Sequence, residues 1–143
     1  MKRIILTLKL FLVSALLSNV ALGAGGSNWP MDDIEVDPSN KASLQRGVKY
    51  YQNYCATCHS MEYQRYERVA DDLGIPHDLM MENLMFDKQA KIGDLMDNAM
   101  DPKEAKTWFG ATPPDLTLVS RVKGGPDWLY NYLRTFYEDP SRP

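Results

Sequence analysis

The clearest hydrophobic pattern in the chain is a helical stripe in its first half. Apolar residues recur there at spacings of four, three and four, the period of one face of an α-helix, at Leu44, Val48, Tyr51 and Cys55. Ser39 or Asn40 is suited to cap the amino end. The pattern therefore predicts a helix over residues 41–54. Gly47 inside it fits either a tolerated surface glycine or the close approach of another helix.

Several shorter helices are predicted along the rest of the chain. Their expected ranges are 60–70, 79–86, 88–100 or 92–100, 103–109 and 128–137. Gly74 and Pro76 should end the first of these helices, Asp78 should cap the second, and Pro126 should begin the last. Residues 112–116 contain two consecutive prolines and should be extended. No segment alternates as a strand would, and no internal repeat is visible. The predicted fold class is therefore all-α.

The first residues show a different pattern, which is typical of a targeting segment. Lys2 and Arg3 precede a run over residues 4–17 that is apolar apart from three positions, and small residues at Ala21 and Gly23 fit a cleavage site. We interpret residues 1–23 as a signal peptide and residues 24–143 as one domain. An uncleaved anchor is the alternative, but the run is short and contains Lys9. No later apolar run is long enough to span a bilayer.

Removal of the signal peptide would make the chain more acidic. Three of the 16 basic residues and none of the 19 acidic ones lie in residues 1–23, so 13 remain against 19, a net charge of −6. An acidic surface argues against nucleic-acid binding and favours a basic protein partner. The same charge could also serve only solubility.

The candidate chemistry is concentrated in Cys55-Ala56-Thr57-Cys58-His59. C-x-x-C-H is the attachment signature of a c-type haem, in which two thiols add across the two vinyl groups of the porphyrin. The two-residue spacer places the sulfurs about one helical turn apart, and His59 can then bind the iron. Because c-type haem is attached to exported chains, the motif and the predicted signal peptide support each other.

Two other interpretations use the same residues. Cys55 and Cys58 are the only cysteines, so they could form a thioredoxin-like redox pair, but such a pair usually follows a strand, whereas a helix is predicted here. A zinc site would need four ligands, and the spacing of His59 and the distant His77 does not suit one. Short helices, proline-rich connections and an early haem motif instead predict a class I cytochrome c-like fold.

A second axial ligand of the iron is not evident in the sequence. The candidates are methionines that mostly occur on apolar helix faces, where they more often fill gaps in the core: Met31, Met61, Met80, Met81, Met85, Met96 and Met100. Met61 is too close to His59 to reach the opposite side of the ring. His77 is the remaining alternative, although a solvent-facing position is expected for it.

Taken together, these motifs resemble the cytochrome c1 family, especially its proteobacterial members, over essentially all of residues 24–143. The segments that carry the resemblance are Gln45-Arg46-Gly47, residues 50–61 with the haem motif and Ser60-Met61, Tyr63, Arg65-Tyr66, Trp108-Phe109-Gly110, and Pro113-Pro114-Asp115-Leu116 followed by Arg121 and Lys123. The haem motif alone would be unspecific. Its combination with Ser60-Met61 and Pro-Pro-Asp-Leu is much more specific.

The resemblance implies a haem subunit of the ubiquinol–cytochrome c oxidoreductase, the bc1 complex, at the periplasmic face of the bacterial inner membrane. Such a subunit accepts an electron from the Rieske iron–sulfur protein, neighbours cytochrome b, passes the electron to a soluble cytochrome c, and has no catalytic site of its own. Cys55 and Cys58 match the thioether positions and His59 matches the proximal ligand. Pro113 and Pro114 match a segment along the haem, and Arg121 or Lys123 matches a partner of a haem propionate.

The chain departs from the family pattern at its carboxyl end. Family members continue beyond a segment like residues 138–143 to an axial methionine and a membrane-anchoring helix, so we expect the sequence to be part of a longer protein. A stand-alone soluble periplasmic cytochrome c and a haem enzyme or gas sensor with an open iron site are the alternative functions.

Overall fold

The computed structural model of the chain describes residues 30–141. The predicted signal peptide, the residues up to Trp29 and the last two positions lie outside the described residues. Within them the chain forms six helices and two short strands. In chain order these are α1 Lys41–Tyr54, β1 Met61–Arg65, α2 Tyr66–Leu73, α3 His77–Asn83, β2 Leu95–Met96, α4 Pro102–Phe109, α5 Val119–Val122 and α6 Pro126–Arg134.

Helix α1 has the bounds that its apolar pattern predicts. The side chain of Asn40 accepts a hydrogen bond from the backbone N–H of Ser43 at 3.1 Å, which satisfies one of the free donors at the helix start. A Cβ added at Gly47 would have no atom within 4 Å, apart from its own neighbours along the helix. Among the described residues no second helix packs against Gly47, which is therefore a tolerated surface glycine.

The predicted helix over 60–70 is wrong in its first half. Residues Met61–Arg65 form β1, which pairs antiparallel with β2 in an irregular register that sets Met61 opposite Met96. The predicted helix ending near residue 100 is also absent, because this segment supplies β2 and the loops beside it. Backbone N–H groups of Tyr66 and Glu67 donate to the carbonyls of Asp94 and Ile92, so distant partners override the local helical preference.

The interior lies where α2 and α3 meet. Ala70, Met80 and Met85 are buried together, and seven partly buried side chains pack on them: Val48, Tyr66, Val69, Ile75, Leu84, Ala90 and Ile92. Gly74 ends α2 with a φ of 67°, a left-handed conformation in which a side chain would be strained. Helix α3 begins at His77, so Asp78 lies in its first turn and is not the cap.

For the helices nearest the carboxyl end, the start signals read from the sequence are more accurate than the predicted ends. Asp101 caps α4 by accepting from the N–H groups of Lys103 and Glu104, and Pro126 is the first residue of α6, as predicted. Helix α6 ends at Arg134, three residues before the predicted end. The all-α class is confirmed for a helix-rich fold that carries one two-stranded sheet. In residues 30–141, every helix is too short or too polar to cross a bilayer.

Candidate haem-binding site

The cysteine motif forms a turn that continues from the end of α1. The N–H of Cys55 donates to the carbonyl of Tyr51 at 2.9 Å, and the N–H groups of Cys58 and His59 both donate to the carbonyl of Cys55, at 3.1 and 2.8 Å. This winding keeps both thiols and the imidazole on one short segment. Both cysteines are free and partly exposed, so their sulfurs are available for covalent attachment.

The ring of His59 is fixed by a residue far along the chain. Its Nδ1 lies 2.8 Å from the carbonyl oxygen of Pro114, across 55 positions. A carbonyl oxygen can only accept, so Nδ1 carries the hydrogen and donates it. The lone pair of Nε2 is then free, which is the form in which an imidazole binds a metal.

Asp115 ties the Pro-Pro segment to the chain just after the motif. One carboxylate oxygen accepts from the hydroxyl of Ser60 at 3.0 Å and from the N–H of Glu62 at 2.7 Å, and the other accepts from the N–H of Thr117 at 2.9 Å. Partial burial raises the pKa of Asp115, but these hydrogen bonds outweigh it and hold the pKa below its usual value. Asp115 is therefore an anionic acceptor near neutral pH.

Sequence reasoning missed the hydrogen bonds that hold this site. Ser60, Asp115 and Tyr51 lie within the sequence motifs, but the motifs alone assign them no role. In the structure the hydroxyl of Tyr51 donates to the carbonyl of His59 at 2.8 Å, and the N–H of Leu116 donates to the carbonyl of Ser60, also at 2.8 Å. The polar residues flanking the motif and the proline pair were the only sequence signal of these contacts.

Apolar surface is exposed next to this segment. Leu118, which precedes the first residue of α5, and Val122, its last residue, are 54% and 70% exposed. They line a cavity of about 230 Å³ together with Tyr63, Asp115, Val119 and Lys123. Of the two predicted propionate partners, Lys123 therefore lies at this cavity, with its ammonium 5.4 Å from the ring centre of Trp128. Arg121 is exposed and does not line it.

A larger cavity, of about 660 Å³, lies beside the spacer of the motif. It touches Ala56 and Thr57 but neither cysteine nor His59. Gln52 also lines it; this side chain is 2% exposed, and its amide nitrogen has no hydrogen-bond partner among the described residues. In residues 30–141 no three His, Cys, Asp or Glu side chains are grouped as metal ligands.

The other candidate iron ligands have different surroundings. Met80, Met85 and Met96 are at most 3% exposed and belong to the interior. The Nε2 of His77 lies 2.8 Å from the carboxylate of Asp71, an exposed contact at the end of α2. These side chains are therefore used in packing or in local pairing.

The residues at the site fit a covalently attached haem. Two free thiols on one turn are separated by two residues, the next residue is an imidazole with its Nε2 unused, and apolar side chains are exposed close by. A helix-rich fold with this donor set defines a c-type cytochrome.

Comparison with known proteins specifies the family: the chain belongs to the cytochrome c1 family, whose model matches residues 29–143. It is 49% identical to cytochrome c1 of Allochromatium vinosum over 90% of the chain and 52% of that protein. It is 42% identical to a protein of Nitrosomonas europaea named ammonia monooxygenase gamma subunit, over 94% of the chain and 56% of that protein. A mitochondrial cytochrome c1 of Arabidopsis thaliana is 30% identical over 78% of the chain and 41% of that protein. The chain thus spans about half the length of these curated relatives.

Proposed function

We propose that this chain carries one haem c and transfers single electrons. The observation that carries the proposal is the bond from His59 Nδ1 to the Pro114 carbonyl, because it leaves Nε2 free to bind iron. Cys55 and Cys58 would each hold the haem by adding a thiol across one vinyl group. A sulfur–carbon bond would form and the thiol hydrogen would go to the neighbouring vinyl carbon, so no oxidant would be consumed. When bound, the haem supplies a one-electron redox centre.

The chain's own residues would then position and tune that centre. Pro114 orients the imidazole, and the exposed side chains of Leu118 and Val122 offer apolar surface for the porphyrin. We assign the propionate contact to Lys123 rather than Arg121, since Lys123 lines the cavity beside these apolar residues. Burial of the haem edge against such side chains is one way in which a protein sets the reduction potential.

The family assignment supports a place in the respiratory bc1 complex. There the haem would accept an electron from the Rieske iron–sulfur protein and pass it to a soluble cytochrome c, with cytochrome b as a further neighbour. The predicted signal peptide over 1–23 and the bacterial relatives favour export and a position at the periplasmic face of the inner membrane. The net negative charge of residues 24–143 favours a basic electron acceptor.

The proposal is tested on the full-length protein produced with the cytochrome c maturation machinery. Pyridine haemochrome spectroscopy should give one c-type haem per chain, and the reduced protein should resist carbon monoxide, as a six-coordinate carrier does. Rapid carbon monoxide binding would instead favour an open-site enzyme or gas sensor. Absence of covalent haem would contradict the proposal and favour a thiol oxidoreductase.

A second assembly is suggested by the Nitrosomonas relative, which is named as a subunit of an ammonia monooxygenase. The same haem chemistry would then serve an oxygenase rather than a ubiquinol–cytochrome c oxidoreductase. Affinity purification of the tagged full-length protein from its own membranes separates the two proposals. Recovery of cytochrome b and a Rieske protein favours the bc1 complex, recovery of oxygenase subunits favours the second assembly, and recovery of neither favours a stand-alone soluble cytochrome c.

A further inference from the structure

We propose that Asp115 is a positioning residue, which sets the hydrogen bond between Pro114 and His59 and thereby the reduction potential of the haem. The inference rests on the proposed function, because it concerns the ligand of the haem iron. The carbonyl of Pro114 belongs to the peptide group whose nitrogen is that of Asp115. Any contact that fixes the backbone at Asp115 therefore fixes the direction of the oxygen that accepts from His59.

The contacts of Asp115 reach both sides of that hydrogen bond. Its carboxylate accepts from the hydroxyl of Ser60, the residue next to His59, and from the N–H of Glu62 two positions further on. The N–H of Leu116 donates to the carbonyl of Ser60 at 2.8 Å. The bond from His59 to Pro114 thus has next to it, one residue further along each segment, bonds that hold the two segments together.

Regular secondary structure does not hold this segment in place. Residues 112–116 belong to neither a helix nor a strand, so the backbone bonds of regular structure do not orient the Pro114 carbonyl. The proline rings restrict φ but leave the segment free to move as a unit. The carboxylate of Asp115 accepts three hydrogen bonds. Because hydrogen bonds to ionised groups are about twice as strong as those between neutral groups, these three contacts stabilise the segment more than three neutral ones would.

The consequence for the haem follows from the chemistry of metal-bound imidazole. A hydrogen bond donated by Nδ1 makes the ring a stronger donor to the metal and stabilises the oxidised iron. Loosening of the Pro114 contact should therefore raise the reduction potential. It should also speed the exchange of the His59 Nδ1 proton with solvent. Loss of a purely structural contact would speed exchange at other sites as well, so a selective effect at Nδ1 indicates a positioning role.

The test uses full-length, haem-loaded protein with Asp115→Asn, Ser60→Ala and Glu62→Gln. Asp115→Asn removes the charge and one acceptor atom; Ser60→Ala removes one donor only; Glu62→Gln removes a neighbouring charge but keeps the Glu62 N–H. The readouts are the solvent exchange of the His59 Nδ1 proton by NMR of the reduced protein and the reduction potential. The control is the Ile75 amide, which donates to the carbonyl of Ala70 in the interior cluster of α2 and α3. Faster exchange of this amide would report general loosening of the protein.

We expect the exchange at Nδ1 to accelerate about tenfold in Asp115→Asn and less in Ser60→Ala, with the Ile75 amide unchanged. The potential should rise more in Asp115→Asn than in Glu62→Gln, because the latter changes only charge. Equal potentials in those two variants, or an unchanged Nδ1 exchange in both Asp115→Asn and Ser60→Ala, would overturn the positioning role. If Asp115→Asn fails to mature, Ser60→Ala decides. Wild-type protein without covalent haem would instead overturn the proposed function itself.

Discussion

The hydroxyl of Tyr51 donates a hydrogen bond to the backbone carbonyl of His59 at 2.8 Å, which joins the last turn of α1 to the end of the haem motif. Burial raises the pKa of Tyr51 well above its usual value, and the nearby tyrosine and carboxylates raise it further. The hydroxyl therefore stays protonated and remains a donor near neutral pH. The apolar stripe of α1 thus ends in a polar contact that fixes the backbone at His59.

Tyr51→Phe should destabilise the haem-loaded protein by about 1 kcal/mol, because the His59 carbonyl loses one hydrogen bond while the ring still packs. Urea unfolding monitored at the Soret band measures this change. Tyr54→Phe is the matched control, since Tyr54 lies on the same helix and is 81% exposed. Equal midpoints for wild-type protein and both variants would show that the Tyr51 contact contributes no stability.

Acidification should weaken the segment that Asp115 anchors. The pKa of Asp115 is lower in the folded chain than its ordinary value of 3.8, so the stabilisation is complete above that value. It is lost as the pH falls through the lower folded pKa, where the carboxylate becomes protonated. Wild-type unfolding free energy should therefore decline more between about pH 5 and pH 2 than that of Asp115→Asn. Parallel pH profiles for the two proteins would contradict this linkage.

Lys123 and Arg121 should differ in their effects on the haem. Lys123 lines the cavity beside Leu118 and Val122, whereas Arg121 does not. If Lys123 pairs with a propionate, Lys123→Gln should lower the reduction potential at neutral pH, because the unpaired propionate charge stabilises the oxidised haem. The decrease should be smaller at low pH, where the propionate is protonated in both proteins. Arg121→Gln should show a smaller, pH-independent change. Spectroelectrochemical titration at several pH values measures both, and a larger effect of Arg121→Gln would reverse the assignment.

The segment that follows Pro30 is held against α6 by a side-chain amide. Asn131 accepts from the N–H of Asp32 at 3.0 Å and donates to its carbonyl at 2.8 Å, and Asp127 accepts from the N–H of Ile34. Asn131→Ala should cost about 1–2 kcal/mol and speed proteolytic cleavage near residues 31–35. Asn53→Ala is the control, because Asn53 bonds only one turn back within α1. Equal cleavage rates in the two variants would contradict the contact's role.

The parts of the fold that depend on neighbouring residues were predictable from the sequence. Helix α1 has the period of its apolar residues and an asparagine cap, and the motif Cys55 to His59 identifies the candidate chemistry in five residues. Strand β1 was not predictable, because Met61–Arg65 has helical propensity and its partner, Leu95–Met96, lies about 30 positions away.

The geometry of the site was predictable from the sequence only in part. The prolines at 113 and 114 correctly indicate a segment outside the helices, and their resemblance to a family segment suggests proximity to the haem. The bond from His59 to Pro114, by contrast, joins residues 55 positions apart and follows from no local pattern. The role of Asp115 is hidden for the same reason, since its partners at Ser60 and Glu62 come close only when the chain folds.

The central claim is that a haem is covalently bound through the two thiols of the motif. The most direct measurement is the intact mass and haemochrome spectrum of the full-length protein, made with the maturation machinery, beside the variant Cys55→Ala/Cys58→Ala. The account predicts that the wild-type polypeptide carries the mass of one haem and keeps its Soret band after denaturation and acid–acetone extraction, whereas the double variant loses both. A wild-type chain with the mass of its amino acids alone would contradict it.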